Sequence, residues 1–284
     1  MIMMIFASFM AGATAEGGGA VAFPIMTLFF AITPEVSRDF SLLIQSFGMS
    51  FAAIFIYLNN IKVLGNIIKI AIAFGVSGLF IGFYFVEGKV PASFLKMFFT
   101  CFWLTFAITI IKFRVKIIHQ TIDSIQTTFK NVLLIAIFSL IGGIITSQLG
   151  SGIDIIIFSL LTILFGINIK IAIPTSVIIM ALTSIMSTIC KSSLHLPTSS
   201  LAYDYFKVAI PIVILGAPLG SWFTNKFSSS SSFVLLNLSI IAQFISALVI
   251  IDQSSSLMMF NFASLAFGFL FFGLMHILRG NMLR

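Results

Sequence analysis

Between positions 1 and 33 the chain carries one charged residue, Glu16, and between 131 and 169 again only one, Asp154. These two stretches constrain the fold more than any other feature. Each is apolar over a length that would make roughly 50–60 Å of helix, against a bilayer hydrocarbon core of about 30 Å. Neither fits one straight crossing. Glycine interrupts each near its middle, as Glu16-Gly17-Gly18-Gly19 in the first and Gly150-Ser151-Gly152-Ile153-Asp154 in the second. The arrangement that satisfies both facts is a pair of helical arms folded into a hairpin, entering and leaving on one face.

The rest of the chain supplies ordinary crossings. Charge-free runs fill 40–58, 70–86, 97–111, 171–190, 208–225, 227–251 and 253–277. With 60% hydrophobic and 8% charged residues and a mean hydropathy of +1.19, against about 25% charged in a soluble domain, this is an integral membrane protein of all-α class. A membrane β-barrel would need alternating segments of about ten residues instead. The net charge of +7 stands on no soluble module, so nucleic acid is not a partner and the lipid bilayer is. Cys101 and Cys190 lie inside apolar runs and read as small core residues. They form neither a disulfide framework nor a metal site, and no cofactor is implied. Ala13-Thr14-Ala15 has the form of a signal-peptidase site, but positions 1–6 lack the Lys or Arg of such a leader.

Loop charge orients the spans. With both long stretches as hairpins, one face receives Lys62, Lys69, Lys112, Arg114, Lys116, Lys130, Lys170, Lys226, Arg279 and Arg284; the other receives Arg38, Lys89, Lys96, Lys191 and Lys207. Single crossings would even out that bias, and the positive-inside rule prefers it. The C-terminus and the 113–130 linker are then cytoplasmic and the N-terminus outside, in what is read as the plasma membrane.

An internal repeat follows. IKIAIAFGVSGLFIGFYF at 68–85 aligns with FKVAIPIVILGAPLGSWF at 206–223, matching Lys69 with Lys207, Gly78 with Gly216 and Gly82 with Gly220. SRDFS at 37–41 occupies the place of AIPTS at 172–176. Residues 1–112 and 131–251 thus read as two copies of one unit, a hairpin plus three crossings, with an extra helix in 252–284. Three crossings is an odd number, so the copies are inverted. Inverted repeats with broken helices are a transporter architecture. The Gly-x-x-x-Gly pairs are read as close helix packing, and the serines at 228–232 as a polar turn.

Chemistry concentrates at the breaks. Glu16 and Asp154 are acids at membrane depth, where such residues face a cavity or a partner. Glycine breaks in Gly17, Gly18, Gly19, Gly150, Ser151 and Gly152 would present backbone N–H groups, and such backbone is tolerated only where it is buried or lines a cavity. That favours an anion. Ionised acids would repel one, but acids that carry a proton would not, and they would couple transport to a proton gradient. Polar residues on the helix after each break complete the candidate site: Ser41, Gln45, Ser46 and Ser50 in the first copy, Thr175, Ser176, Thr183 and Ser184 in the second. Gln148 precedes the second break. Pro24 and Pro174 read as helix starts or kinks.

GATAEGGGAVAFPIMTL followed by PEVSRDFSLLIQSFGMS, and GSGIDIIIFSLLTILF followed by KIAIPTSVIIMALTS, resemble the TauE/SafE sulfite exporter family over about residues 6–251. The resemblance implies transport of a small anion of the sulfite, thiosulfate or organosulfonate type, and the expectation for this chain is a secondary transporter with alternating access. The chain departs from the family pattern in having Glu16 before the glycines and GSGID in the second copy. Two other functions are open to the sequence. One is an anion channel. The other is an intramembrane aspartyl protease, for which Tyr203-Asp204 and Gly150-Ser151-Gly152 supply fragments of the motifs, in reversed order and with Asp154 one residue late.

Overall fold

The computed structural model describes residues 2–14, 16, 26, 32–86, 89–113, 122–196 and 198–282. Among them it is all α: α1 (Ile2–Ala13), α2 (Pro34–Leu58), α3 (Gly65–Ile81), α4 (Ala92–Lys112), α5 (Phe129–Leu149), α6 (Ile153–Ser159), α7 (Ile169–Ser193), α8 (Ser200–Lys226), α9 (Ser229–Ile250) and α10 (Ser255–Met282). Two π-helical turns, Gly82–Val86 and Leu160–Leu164, continue α3 and α6. Eight helices are long and apolar enough to cross a membrane. Seven correspond to the expected crossings. The eighth is α5, expected as one arm of a hairpin.

The local signals explain the boundaries. Pro34 opens α2, where its missing N–H loses nothing. The side chains of Thr128, Asn168 and Ser228 accept from the backbone N–H of Asn131, Lys170 and Ser231 and cap α5, α7 and α9. The serine run at 228–232 is therefore a correction: Ser228 caps, and the others form the first turn of α9 rather than a free turn. Pro174 lies inside α7 rather than at its start.

The second long stretch does turn back. Asn168 donates its N–H to the Ile122 carbonyl, and Ile122 pairs with Ile167. The chain before α5 and the chain after the π-turn therefore meet at one end of the molecule. The arms are unequal. α5 has 21 residues, about 31 Å, while the return has seven helical residues and a five-residue π-turn.

Two glycine seams hold helices at backbone contact. A Cβ on Gly78 would run into the Leu140 carbonyl oxygen and one on Gly143 into that of Gly75, so α3 and α5 meet without intervening side chains. Likewise a Cβ on Gly12 would strike the Ala217 carbonyl and one on Gly220 that of Phe9, which seats α1 on α8. Both Gly-x-x-x-Gly pairs thus serve the close packing expected of them. The largest core cluster centres on Trp103 and Phe106 of α4, stacked at 4.4 Å, with Phe158 and Phe272 edge-on to Phe106. α10 joins α4 through a ladder of Phe98, Phe102, Phe267, Phe271 and Phe272. Its outward residues, among them Phe262, Leu270 and Ile277, are about 70% exposed, as a lipid-facing helix requires.

Charges sort to the two ends of α2. At its C-terminal end Lys62 pairs with Asp123 at 2.8 Å. At its start Asp39 is buried and pairs with Lys191 of α7, equally buried, while Arg38 and the Ser199 N–H also approach its carboxylate.

Candidate functional site

The break at 150 organises the candidate site. Gly150 ends α5 in the left-handed region at φ 82° and donates its N–H to the Thr146 carbonyl at 2.8 Å. This is a glycine C-cap, for which a side chain is strained. α2 lies against it: the Gln45 amide donates to the Gly150 carbonyl at 3.2 Å and to the Ser41 hydroxyl. A Cβ on Gly150 would sit 3.2 Å from Ser41 Oγ. Gln148 donates to the Gly82 carbonyl at 3.1 Å, tying the break to the π-turn after α3. Ser41, Gln45, Gln148 and Gly150 therefore assemble, and Ser151 is buried with them.

The acid two residues beyond Gly152 starts the return helix. Asp154 Oδ1 accepts from the Gly152 N–H at 2.8 Å, and the Asp154 and Ile155 N–H groups face the same carboxylate. The Thr146 hydroxyl accepts from the Ile153 N–H at 3.0 Å. Ser176 of α7 donates to the Asp154 carbonyl at 2.7 Å. The sequence reading expected free N–H groups here. That is corrected: the N–H groups of Gly150, Gly152 and Ile153 are already taken, and the Asp154 carboxylate occupies the electropositive start of α6 that an anion would otherwise seek. Its second oxygen, Oδ2, is buried and makes no hydrogen bond among the described residues.

Glu16 sits differently. It is fully buried, and its Oε1 accepts from the Trp103 indole N–H of α4. Its own N–H goes to the Thr14 hydroxyl at 3.2 Å, so no described backbone donor serves the carboxylate. Ser239 and Gln243 of α9 flank it, yet Oε2 and the Gln243 Nε2 make no hydrogen bond among the described residues. Asp154 lies within Coulombic range. The two buried acids are therefore close enough for their charges to interact. Gly17, Gly18, Gly19 and Pro24 lie outside the described residues.

Three sequence-predicted polar residues are placed in structural service. Thr175 accepts from the Leu64 N–H at 3.1 Å and holds the start of α3. Ser46 donates to the Leu43 carbonyl of its own helix, and Thr183 to that of Ile179. Conversely, sequence reasoning passed over Trp103, Thr146 and Gln243. Gln243 was findable as one of two amides, with Asn237, in an apolar run, and Trp103 as one of two tryptophans. Thr146 had no signal beyond its place four residues before Gly150. Among the described residues no group of three or more His, Cys, Asp or Glu could hold a metal ion.

With eight helices long and apolar enough to cross a membrane among the described residues, the chain is a polytopic all-α membrane protein. The chain belongs to the TauE/SafE sulfite exporter family: the family model for Sulfite exporter TauE/SafE matches residues 1–250. No curated protein and no solved structure gives a match. The family is one of membrane transporters, and α10 lies beyond the matched residues.

Proposed function

We propose that the protein is a secondary transporter of small anions of the sulfite, thiosulfate or organosulfonate type, driven by alternating access and coupled to protons through Glu16. The observation that carries this reading is the state of the two acids. Two fully buried carboxyls within Coulombic range each keep an oxygen without a partner, and neither has a cation beside it among the described residues. A proton on one removes their mutual repulsion. It also removes the repulsion of an incoming anion. Asp154 is committed to capping α6, so the mobile proton belongs to Glu16. The anion is held beside the Gly150 break by Ser41, Gln45 and Gln148.

The inverted-repeat reading, 1–112 and 131–251 flanking the 113–130 linker, is supported by the glycine seams. The helix bearing Gly78 packs on the first arm of the second hairpin, and the helix bearing Gly216 packs on the first arm of the first. The pairing is reciprocal, as a twofold relation requires. The cation bias favours a cytoplasmic C-terminus and an outside N-terminus in the plasma membrane; labelling of a cysteine at Ser254 from outside only is the expected result.

The test is flux in proteoliposomes. Labelled sulfite uptake should accelerate when the sulfite-containing side is made acidic, and unlabelled sulfite inside should accelerate entry further by counterflow. Glu16→Gln should lose the pH response. If it keeps that response in full, the coupling is wrong; absence of counterflow would mean a channel.

A further inference from the structure

We infer that the groove between α5 and α10 is a binding site for an anionic phospholipid, with one acyl chain in the groove and the phosphate on Lys130 and Arg279. This inference is independent of the transport reading.

The groove is a cavity of about 410 Å³, within the size range of ligand pockets. Leu134 and Phe138 of α5 form one wall, and Phe271, Leu274 and Leu278 of α10 form the other. Leu164, the last residue of the π-turn, is its buried floor. Phe138 and Phe271 meet edge to face at 5.6 Å and close the inner end. Lys130 is the single charged residue of the lining and stands at the opposite end, eight residues or about 12 Å along α5 from Phe138. The shape is therefore long, apolar and cationic at one mouth.

A second cation stands at that mouth. Arg279 follows Met275 by one helical turn, so it continues the face of α10 that lines the groove. Its guanidinium packs on the backbone of Gly166, two residues beyond the floor; a Cβ there would lie 2.7 Å from Nη2. Neither Lys130 nor Arg279 has an ion-pair partner among the described residues. Two cations without a counter-ion among the described residues, at the ends of membrane-crossing helices and above an apolar slot, match a phosphate ester with an attached hydrocarbon chain. The outer surfaces of both helices agree, since Leu133, Ile137, Leu270 and Ile277 are all exposed on membrane-crossing segments. A soluble ligand would find no polar group along the walls. The occupant would also press on Leu164, and through the π-turn on the arm that carries Asp154.

The experiment uses the full chain in detergent, stripped of lipid, and phosphatidylglycerol or phosphatidylcholine carrying the same diazirine-labelled acyl chain. Phosphatidylglycerol should label Leu134, Phe138 and Leu274 peptides, and bind about fivefold better than phosphatidylcholine for each cation engaged, about thirtyfold for both. Lys130→Glu should reduce that preference, Lys130→Arg should keep it, and Leu134→Trp should remove the groove label with both lipids. Equal labelling by the two lipids would overturn the assignment. So would a preference that survives Lys130→Glu with Arg279→Ala, or a cross-link from position 134 to a second copy of the chain in place of lipid.

Discussion

The two breaks carry acids of opposite standing. Asp154 is wrapped by its own backbone: the Gly152 N–H reaches its carboxylate and Ser176 fixes its carbonyl. Among the described residues no backbone N–H reaches the Glu16 carboxylate, which accepts from the Trp103 indole of α4 and has Ser239 and Gln243 of α9 beside it. A carboxylate that accepts from backbone at a helix start is a cap, and removing it exposes orphan donors. A buried carboxylate held by side chains of other helices can change its protonation state without exposing the donors of a helix end. Asp39 supplies a third case, an acid neutralised by a buried Lys191. Burial alone therefore does not tell a structural acid from a working one; the donors around it do.

That contrast can be broken in four places. The largest effect belongs to the ion pair: Lys191→Met leaves Asp39 buried without that cation and should cost about 3–5 kcal/mol, with Asp39→Asn added in the same chain restoring much of it. Unfolding in mixed micelles measures both. Next come the seams, where Gly78→Leu and Gly216→Leu should each cost about 1–3 kcal/mol or more by overpacking. Similar losses at the two sites would support the twofold relation, and a loss at only one would argue against it. Third, Asp154→Ala should cost about 1–2 kcal/mol in the same assay, with Asp154→Asn costing less because an amide oxygen still caps. The smallest stability change, under about 1 kcal/mol, is expected for Glu16→Gln, whose carbonyl still accepts from Trp103. The pH response of sulfite flux should be lost there and kept in Asp154→Asn. The reverse result would exchange the roles of the two acids.

Much of this architecture could be read from apolar run length. The seven ordinary crossings and the break at Gly150 followed from counting charge-free residues and locating glycine. The unequal arms did not, because the π-turn and the irregular stretch after it leave no mark in composition. At the site, the sequence pointed to Gln45, Ser41 and Asp154, since polar residues at membrane depth stand out. It misjudged the N–H groups of the second break. Whether the Gly152 and Ile153 donors are open depends on where the Asp154 and Thr146 side chains turn, and both are set by tertiary packing. Trp103 stood out as a rare residue, but its pairing with Glu16 did not, because the two lie 87 positions apart.

The Ile122–Ile167 clasp has a consequence for how the protein is made. The return arm has twelve helical residues, well short of the roughly 20 that let a segment partition into the bilayer unaided. It must therefore enter as cargo of α5, with the two isoleucine backbones closing behind it. Asp154 rides on that arm, so the second acid reaches its buried place only together with α5.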